Sequence, residues 1–184
     1  FEKARALYLK AISVNNEKIN PDKEGNLYLN LGNVNFLLMN YSEALSSYKS
    51  AQIYKKNYGS KIEEAVFLFH LSYCYWQNGD FVKAKDEMNK VYSIYRSLIT
   101  SRNRKDYAFQ LYHIYKYFAL FERMDGNYSE AEKWYLRMAD HSRKYGIKSD
   151  EVRLYQEIAY CRESLGDYDG AISYLKKTED IISD

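Results

Sequence analysis

Apolar residues recur at i, i+3, i+4 and i+7 in eight successive stretches, the spacing that places side chains on one face of an α-helix. The stretches are 26–38, 41–57, 62–78, 81–99, 107–124, 128–144, 150–164 and 168–182. Leu68, Leu71 and Tyr75 mark one such face, Tyr115 and Phe118 a second, Tyr155 and Ile158 a third. No sustained strand-like alternation competes with them, so the predicted fold is all-helical. A short phrase separates the helices of each pair: "MNYSEA" at 39–44, "GDFVKA" at 79–84, "GNYSEA" at 126–131 and "GDYDGA" at 166–171. The first residues, "FEKA", read as the end of one more.

Aligned on Ala4, Ala44, Ala84, Ala131 and Ala171, the phrases are spaced by 40, 40, 47 and 40 residues. A fixed period in this range is the mark of a stacked repeat array. Each phrase reads as a hinge between two helices. Gly79, Gly126 and Gly166 suit the left-handed conformation that ends a helix, whereas Met39 in the first full unit weakens that stop. Asn40, Asp80, Asn127 and Asp167 are N-cap types, with Glu43 and Glu130 three residues on as capping-box partners. The expected organisation is one array over 1–184. Residues 1–14 form a lone second helix, and hairpins follow at 24–59, 61–99, 107–145 and 150–182.

The pattern inside each hairpin resembles the tetratricopeptide repeat. Large–Leu–small places on the first helix are followed by aromatic–Ala–large–small places on the second. The chain has Tyr28–Leu31–Gly32 with Tyr41–Ala44–Tyr48–Ala51, then Leu68–Leu71–Ser72–Tyr75 with Phe81–Ala84–Met88–Val91. It continues with Tyr115–Phe118–Ala119 and Tyr128–Ala131–Tyr135–Met138, then Tyr155–Ile158–Ala159 and Tyr168–Ala171–Leu175–Thr178. Phe1–Ala4–Tyr8–Ala11 matches a lone second helix. The period exceeds the family's usual ~34 residues, which implies helices about a turn longer or longer connectors. The resemblance implies a right-handed superhelix of antiparallel hairpins, an α-solenoid. Ten of the 21 tyrosines fall on these packing places, so tyrosine richness is expected to be mainly architectural.

Charge adds little. With 27 basic and 25 acidic residues the net charge is +2, which offers no concentrated basic face for direct nucleic-acid binding. No run of about 18 apolar residues is present, so no membrane span is expected. Cys74 and Cys161 form neither a disulfide framework nor a metal spacing, and read as small buried hydrophobes. They fit a reducing, cytoplasmic setting and are tolerable in a periplasm. The chain opens on Phe1 inside a repeat phrase, as a piece excised from a longer protein would.

Catalytic signatures are missing from the sequence. His70, His113 and His141 lie in different units, and His70 with Cys74 offers two ligands where zinc takes three or four. There is no phosphate loop and no nucleophile elbow. A non-enzymatic module without cofactor or metal is the expected reading.

In the family the resemblance points to, first helices line a concave groove that receives a peptide or partner protein. Carried onto this chain, the groove-facing places are Asn30, Asn33 and Phe36, then His70, Tyr73 and Trp76. The third unit adds His113, Lys116, Tyr117 and Arg123, and the fourth Arg153, Gln156 and Tyr160. Amides can clasp a peptide backbone, aromatics can stack, and the three cations can meet acidic groups. Asn33 matches one place of a chaperone-tail clamp, but Leu29 and His113 replace its basic companions, which disfavours that ligand. Arg102, Arg104 and Lys105 make the connector before the third unit locally basic. The leading expectation is a protein–protein interaction module. One alternative is the ligand- or peptide-sensing part of a bacterial regulator; another is a self-associating structural array.

Overall fold

The computed structural model describes residues 1–14, 21–54, 59–100, 102–147 and 151–183. The expected helix end at 57, the expected start at 150 and position 101 of the connector lie outside these residues. The described residues form the helices α1 (Glu2–Val14), α2 (Pro21–Leu37), α3 (Tyr41–Tyr54), α4 (Lys61–Gln77) and α5 (Phe81–Leu98). These are followed by α6 (Ala108–Met124), α7 (Tyr128–Tyr145), α8 (Glu151–Ser164) and α9 (Tyr168–Ser183). No strand occurs among the described residues. The fold is the all-α, tetratricopeptide-type arrangement of helix hairpins. Two compact units divide the chain, Phe1–Ile94 and Tyr95–Asp184.

The chain's single proline, Pro21, opens α2 ahead of the expected start at 26, because the first turn of a helix does not need its missing N–H. Four hinges then use one backbone scheme. In the second, Gly79 N–H donates to the Trp76 carbonyl and Asp80 N–H to the Tyr75 carbonyl, the paired bonds of a Schellman stop. The same two bonds occur at Met39 and Asn40, at Gly126 and Asn127, and at Gly166 and Asp167. Each cap residue's carbonyl then accepts from the hinge alanine N–H, starting the next helix. Met39 does take the left-handed conformation, with φ 62°, although it is not glycine.

Side-chain capping departs from expectation. Asp80 accepts from Lys83 N–H and Asp167 from Gly170 N–H. Asn127 makes no such bond; its amide donates to Glu122 instead. Glu130 pairs with Lys133 rather than closing a capping box. A complete box forms elsewhere, at Ser60 and Glu63, before α4.

In unit 1, α1 packs on α2, α2 on α3 and α3 on α4. Ala44, Tyr48, Ala51, Leu71 and Ala84 are buried at the joints. Ser72 Oγ donates to the Ala84 carbonyl at 2.6 Å, so the small place of α4 is also a hydrogen-bonded one. In unit 2, α6 packs on α7, α7 on α8 and α8 on α9. Ala119, Ala131, Tyr135, Met138, Ile158 and Cys161 form its core, with Trp134 and Tyr155 against it. Cys74 and Cys161 are both buried and free, and burial pushes their thiols up to about 12 and about 11.

Four expected packing residues are not packed, Phe81 among them at 38% exposed. Tyr168 is 65% and Leu175 44% exposed, because no helix among the described residues covers the outer face of α9. The matching Tyr135 of α7, covered by α8, is 2% exposed. Phe1 is exposed for a like reason at α1.

Candidate functional site

Each unit holds a cleft between successive first helices, at the same places of the repeat. In unit 1 it runs between α2 and α4. Asn26, Leu29 and Asn33 face Ile62, Val66, Phe67 and His70 across about 360 Å³. Tyr48 forms the link behind it: its hydroxyl donates to Asn33 Oδ1 at 2.9 Å and lies 3.4 Å from His70 Nδ1. His70 stacks on Phe36 at 4.5 Å, and burial lowers its pKa, which keeps the ring neutral. Beside His70, Phe36, Tyr41 and Tyr73 cluster with ring centroids 5.3–5.7 Å apart, and Trp76 follows 6.2 Å from Tyr73. Glu63 also borders the cleft, but its carboxylate accepts from Ser60 N–H and Oγ.

Unit 2 repeats the geometry between α6 and α8 with different chemistry. Tyr112, Lys116 and Leu120 face Arg153, Leu154 and Glu157 over Tyr135 and Met138, around about 150 Å³. An adjoining opening of about 400 Å³ is bordered by Arg123, Arg153, Gln156, Glu157 and Tyr160. Tyr135 Oη donates to Glu157 Oε2 at 3.1 Å, and Arg123 approaches the same oxygen at 3.5 Å. Burial, then the Glu157 charge, raises the Tyr135 pKa, so this phenol stays a donor. The Arg123 guanidinium lies 5.6 Å from the Tyr160 ring centroid.

The structure therefore brings Lys116, Arg123, Arg153, Gln156 and Tyr160 together in unit 2, and Asn33 and His70 in unit 1. Phe36, Tyr73 and Trp76 form an aromatic cluster beside His70 but do not line the unit 1 cleft. Asn30 is exposed beside that cleft but does not line it. His113 packs against Phe109 and Tyr112, and Tyr117 against Phe121, away from both openings. Burial and the Lys116 charge lower the His113 pKa. Sequence reasoning missed Glu157 at the floor of unit 2, and Ile62 and Val66 in unit 1; Leu29, weighed only as a clamp place, lines the cleft as well. The signal was present: Leu29 lies four before Asn33, and Ile62 and Val66 lie eight and four before His70, one helical stripe each. Among the described residues no group of three His, Cys, Asp or Glu is placed to hold a metal ion, and no helix is long and apolar enough to cross a membrane.

Antiparallel hairpins joined by Schellman hinges, with small residues at the joints and a cleft between first helices, define a helical-hairpin repeat protein. The tetratricopeptide repeat family model matches residues 65–98 and 152–181, the α4–α5 and α8–α9 hairpins. By this match the α4–α5 and α8–α9 hairpins are of the tetratricopeptide repeat type. A search of curated proteins gives no match. Among solved structures the chain is similar to the apo form of RapI, with 21% identity and TM-score 0.74 over 95% of this chain and 47% of that one. It is also similar to BtubC from P. vanneervenii, with 16% identity and TM-score 0.70 over 99% and 73%. A third likeness is to a Rap protein complexed with Competence and Sporulation Factor, with 20% identity and TM-score 0.62 over 94% and 46%. At these identities the likeness is one of fold. The chain spans about half the length of the two Rap proteins.

Proposed function

We propose that this chain is a protein–protein interaction module whose first helices receive an extended peptide or partner segment, with unit 2 contributing the charged contacts. The observation that carries this reading is the convergence of Lys116, Arg123 and Arg153 on adjoining openings whose floor holds one acid, Glu157. Exposed apolar and aromatic side chains beside cations are the usual composition of a binding hot spot.

The test is a comparison of partners captured from a cell lysate by the native chain and by a Lys116→Glu, Arg153→Glu double variant. Both side chains reach solvent, so the variant is expected to fold. Loss of the specific partners from the double variant supports the groove, and equal capture by both overturns it. A regulatory sensor is the second reading. The likeness to a Rap protein that holds Competence and Sporulation Factor favours it, because it places a bound factor on a longer protein of the same fold. That reading uses the same clefts and requires a signalling domain elsewhere in the full-length protein.

A further inference from the structure

We infer that the unit 2 cleft reads a short motif in its ligand: a large apolar side chain and an acidic side chain two residues apart. The inference rests on the groove reading and adds the chemistry of the ligand to it.

The opening bordered by Arg123 is where the two units differ most. In unit 1 the places matching Arg123, Gln156, Glu157 and Tyr160 are Phe36, Phe69, His70 and Tyr73. Phe36 stacks on His70 and meets Tyr73 edge-on, so aromatic rings fill the space. In unit 2 the same space stays open, about 400 Å³, and has two guanidinium groups and an amide on its border. Arg123 is under-used there. Its contact with Glu157 is long, at 3.5 Å, and its buried Nε finds no hydrogen-bond acceptor among the described residues. A buried donor without a partner is uncommon in a folded protein and costly to leave so. The Arg123 side chain is one-third exposed, and its planar guanidinium beside Arg153 and Gln156 suits the two oxygens of a carboxylate.

The neighbouring pocket is mixed. Leu120, Met138 and Leu154, with the rings of Tyr112 and Tyr135, give about 150 Å³ an apolar part, and Lys116, Arg153 and Glu157 line the rest. Space of that size has room for one benzene-sized group against the apolar part. Both openings share Arg153 and Glu157, and they follow each other along α8, from Leu154 to Gln156 and Tyr160. One helical turn advances about 5.4 Å, whereas an extended peptide advances roughly 6.6 Å per two residues and turns those two side chains to the same side. Adjacent ligand residues point to opposite sides and cannot fill both openings. Charge complementarity selects the acid: three cations, Lys116, Arg123 and Arg153, line the two openings against one carboxylate, Glu157.

The experiment is selection of a phage-displayed random decapeptide library on the immobilised chain. Fluorescence anisotropy then follows with fluorescein-labelled synthetic copies of the enriched peptides. Native chain is expected to enrich an apolar residue and Asp or Glu two positions apart. Replacing that Glu by Gln in a synthetic peptide weakens binding roughly tenfold, the worth of one charge-assisted hydrogen bond. Arg123→Gln is expected to lose the acidic preference and keep the apolar one. Arg123→Lys, which retains the charge without the fork, recovers part of it. Matching circular-dichroism melting curves confirm that these variants fold. Enriched peptides with no acid at that spacing, or an Arg123→Gln selection identical to the native one, overturn the motif and leave the groove reading standing. No enrichment by the native chain beyond that of the Lys116→Glu, Arg153→Glu variant overturns both.

Discussion

In unit 1 the cleft between first helices presents Leu29, Val66 and a neutral His70, while the matching places in unit 2 hold Lys116, Arg153 and Glu157. The backbone beneath them is the same. Tyr48 and Tyr135 stand four residues after their hinge alanines and send their hydroxyls to the cleft floor, one to an amide oxygen and the other to a carboxylate. Repetition thus separates two tasks. Places that join hairpins are held to small or aromatic residues by the close approach of helices, because a single hairpin cannot bury its own apolar stripe. Places that face the cleft carry no such constraint, so one scaffold holds an apolar, aromatic cleft and a charged one.

The joints differ too, and the largest expected effect lies there. A Cβ added at Gly32 meets the Tyr48 ring at 2.5 Å, whereas the matching place opposite Tyr135 already carries the methyl of Ala119. Tyr48 is fully buried, so its ring must shift within the core to make room. Gly32→Ala is therefore expected to destabilise the chain by roughly 1–3 kcal/mol, the usual cost of overpacking. Its mirror, Ala119→Gly, loses about 1 kcal/mol of helix propensity and leaves the Tyr135 bond intact. Urea unfolding of the two variants measures both. Equal midpoints would erase the distinction between the joints.

The phenols come next. Tyr48→Phe removes a bond to a neutral amide and is expected to cost about 1 kcal/mol. Tyr135→Phe removes a bond to Glu157 and leaves that carboxylate with Arg123 alone, so its cost is expected to reach about 1.5–2 kcal/mol. Thermal melts of the two single variants rank them. A larger loss at Tyr48 would show that the charged floor of unit 2 does not depend on its phenol.

How much of this is legible in the sequence follows from how local each feature is. The hinges are local events: a stop residue, a cap and an alanine within six positions suffice, and all four appear where the phrases stand. The capping pattern is local too, yet Asn127 turned to Glu122 one turn back, a choice that residue types alone do not make. The clefts are not local. Glu157 matters because Tyr135, 22 positions earlier, lies beneath it, and nothing in either helix alone announces the meeting. Phe36 reads as a groove residue by its place in the repeat, and only the stacked His70 shows that it packs beside the cleft. His113 and Tyr117 occupy groove-facing places by count, but neighbouring rings on α6 hold them away from both openings.

The smallest expected effect tests the hinge itself, where unit 1 is again the exception. Met39 has φ 62°, while Gly126, at the same place in unit 2, has φ 76°. A side chain in this region crowds its Cβ against the following carbonyl, which costs about 1–2 kcal/mol. Met39 recovers little of that by packing, because it is 73% exposed. Glycine removes the crowding but gives up about 0.5–1 kcal/mol to the greater freedom of the unfolded chain. The difference sets the sign: Met39→Gly is expected to stabilise the chain by about 0.5–1 kcal/mol. Gly126→Ala runs the opposite way, and since a Cβ there meets nothing within 4 Å, its cost is purely conformational. Urea titrations of both variants should shift in opposite directions by similar amounts. If Met39→Gly destabilises instead, the methionine side chain holds the first hinge through a contact worth more than its backbone strain, and the four hinges are not equivalent after all.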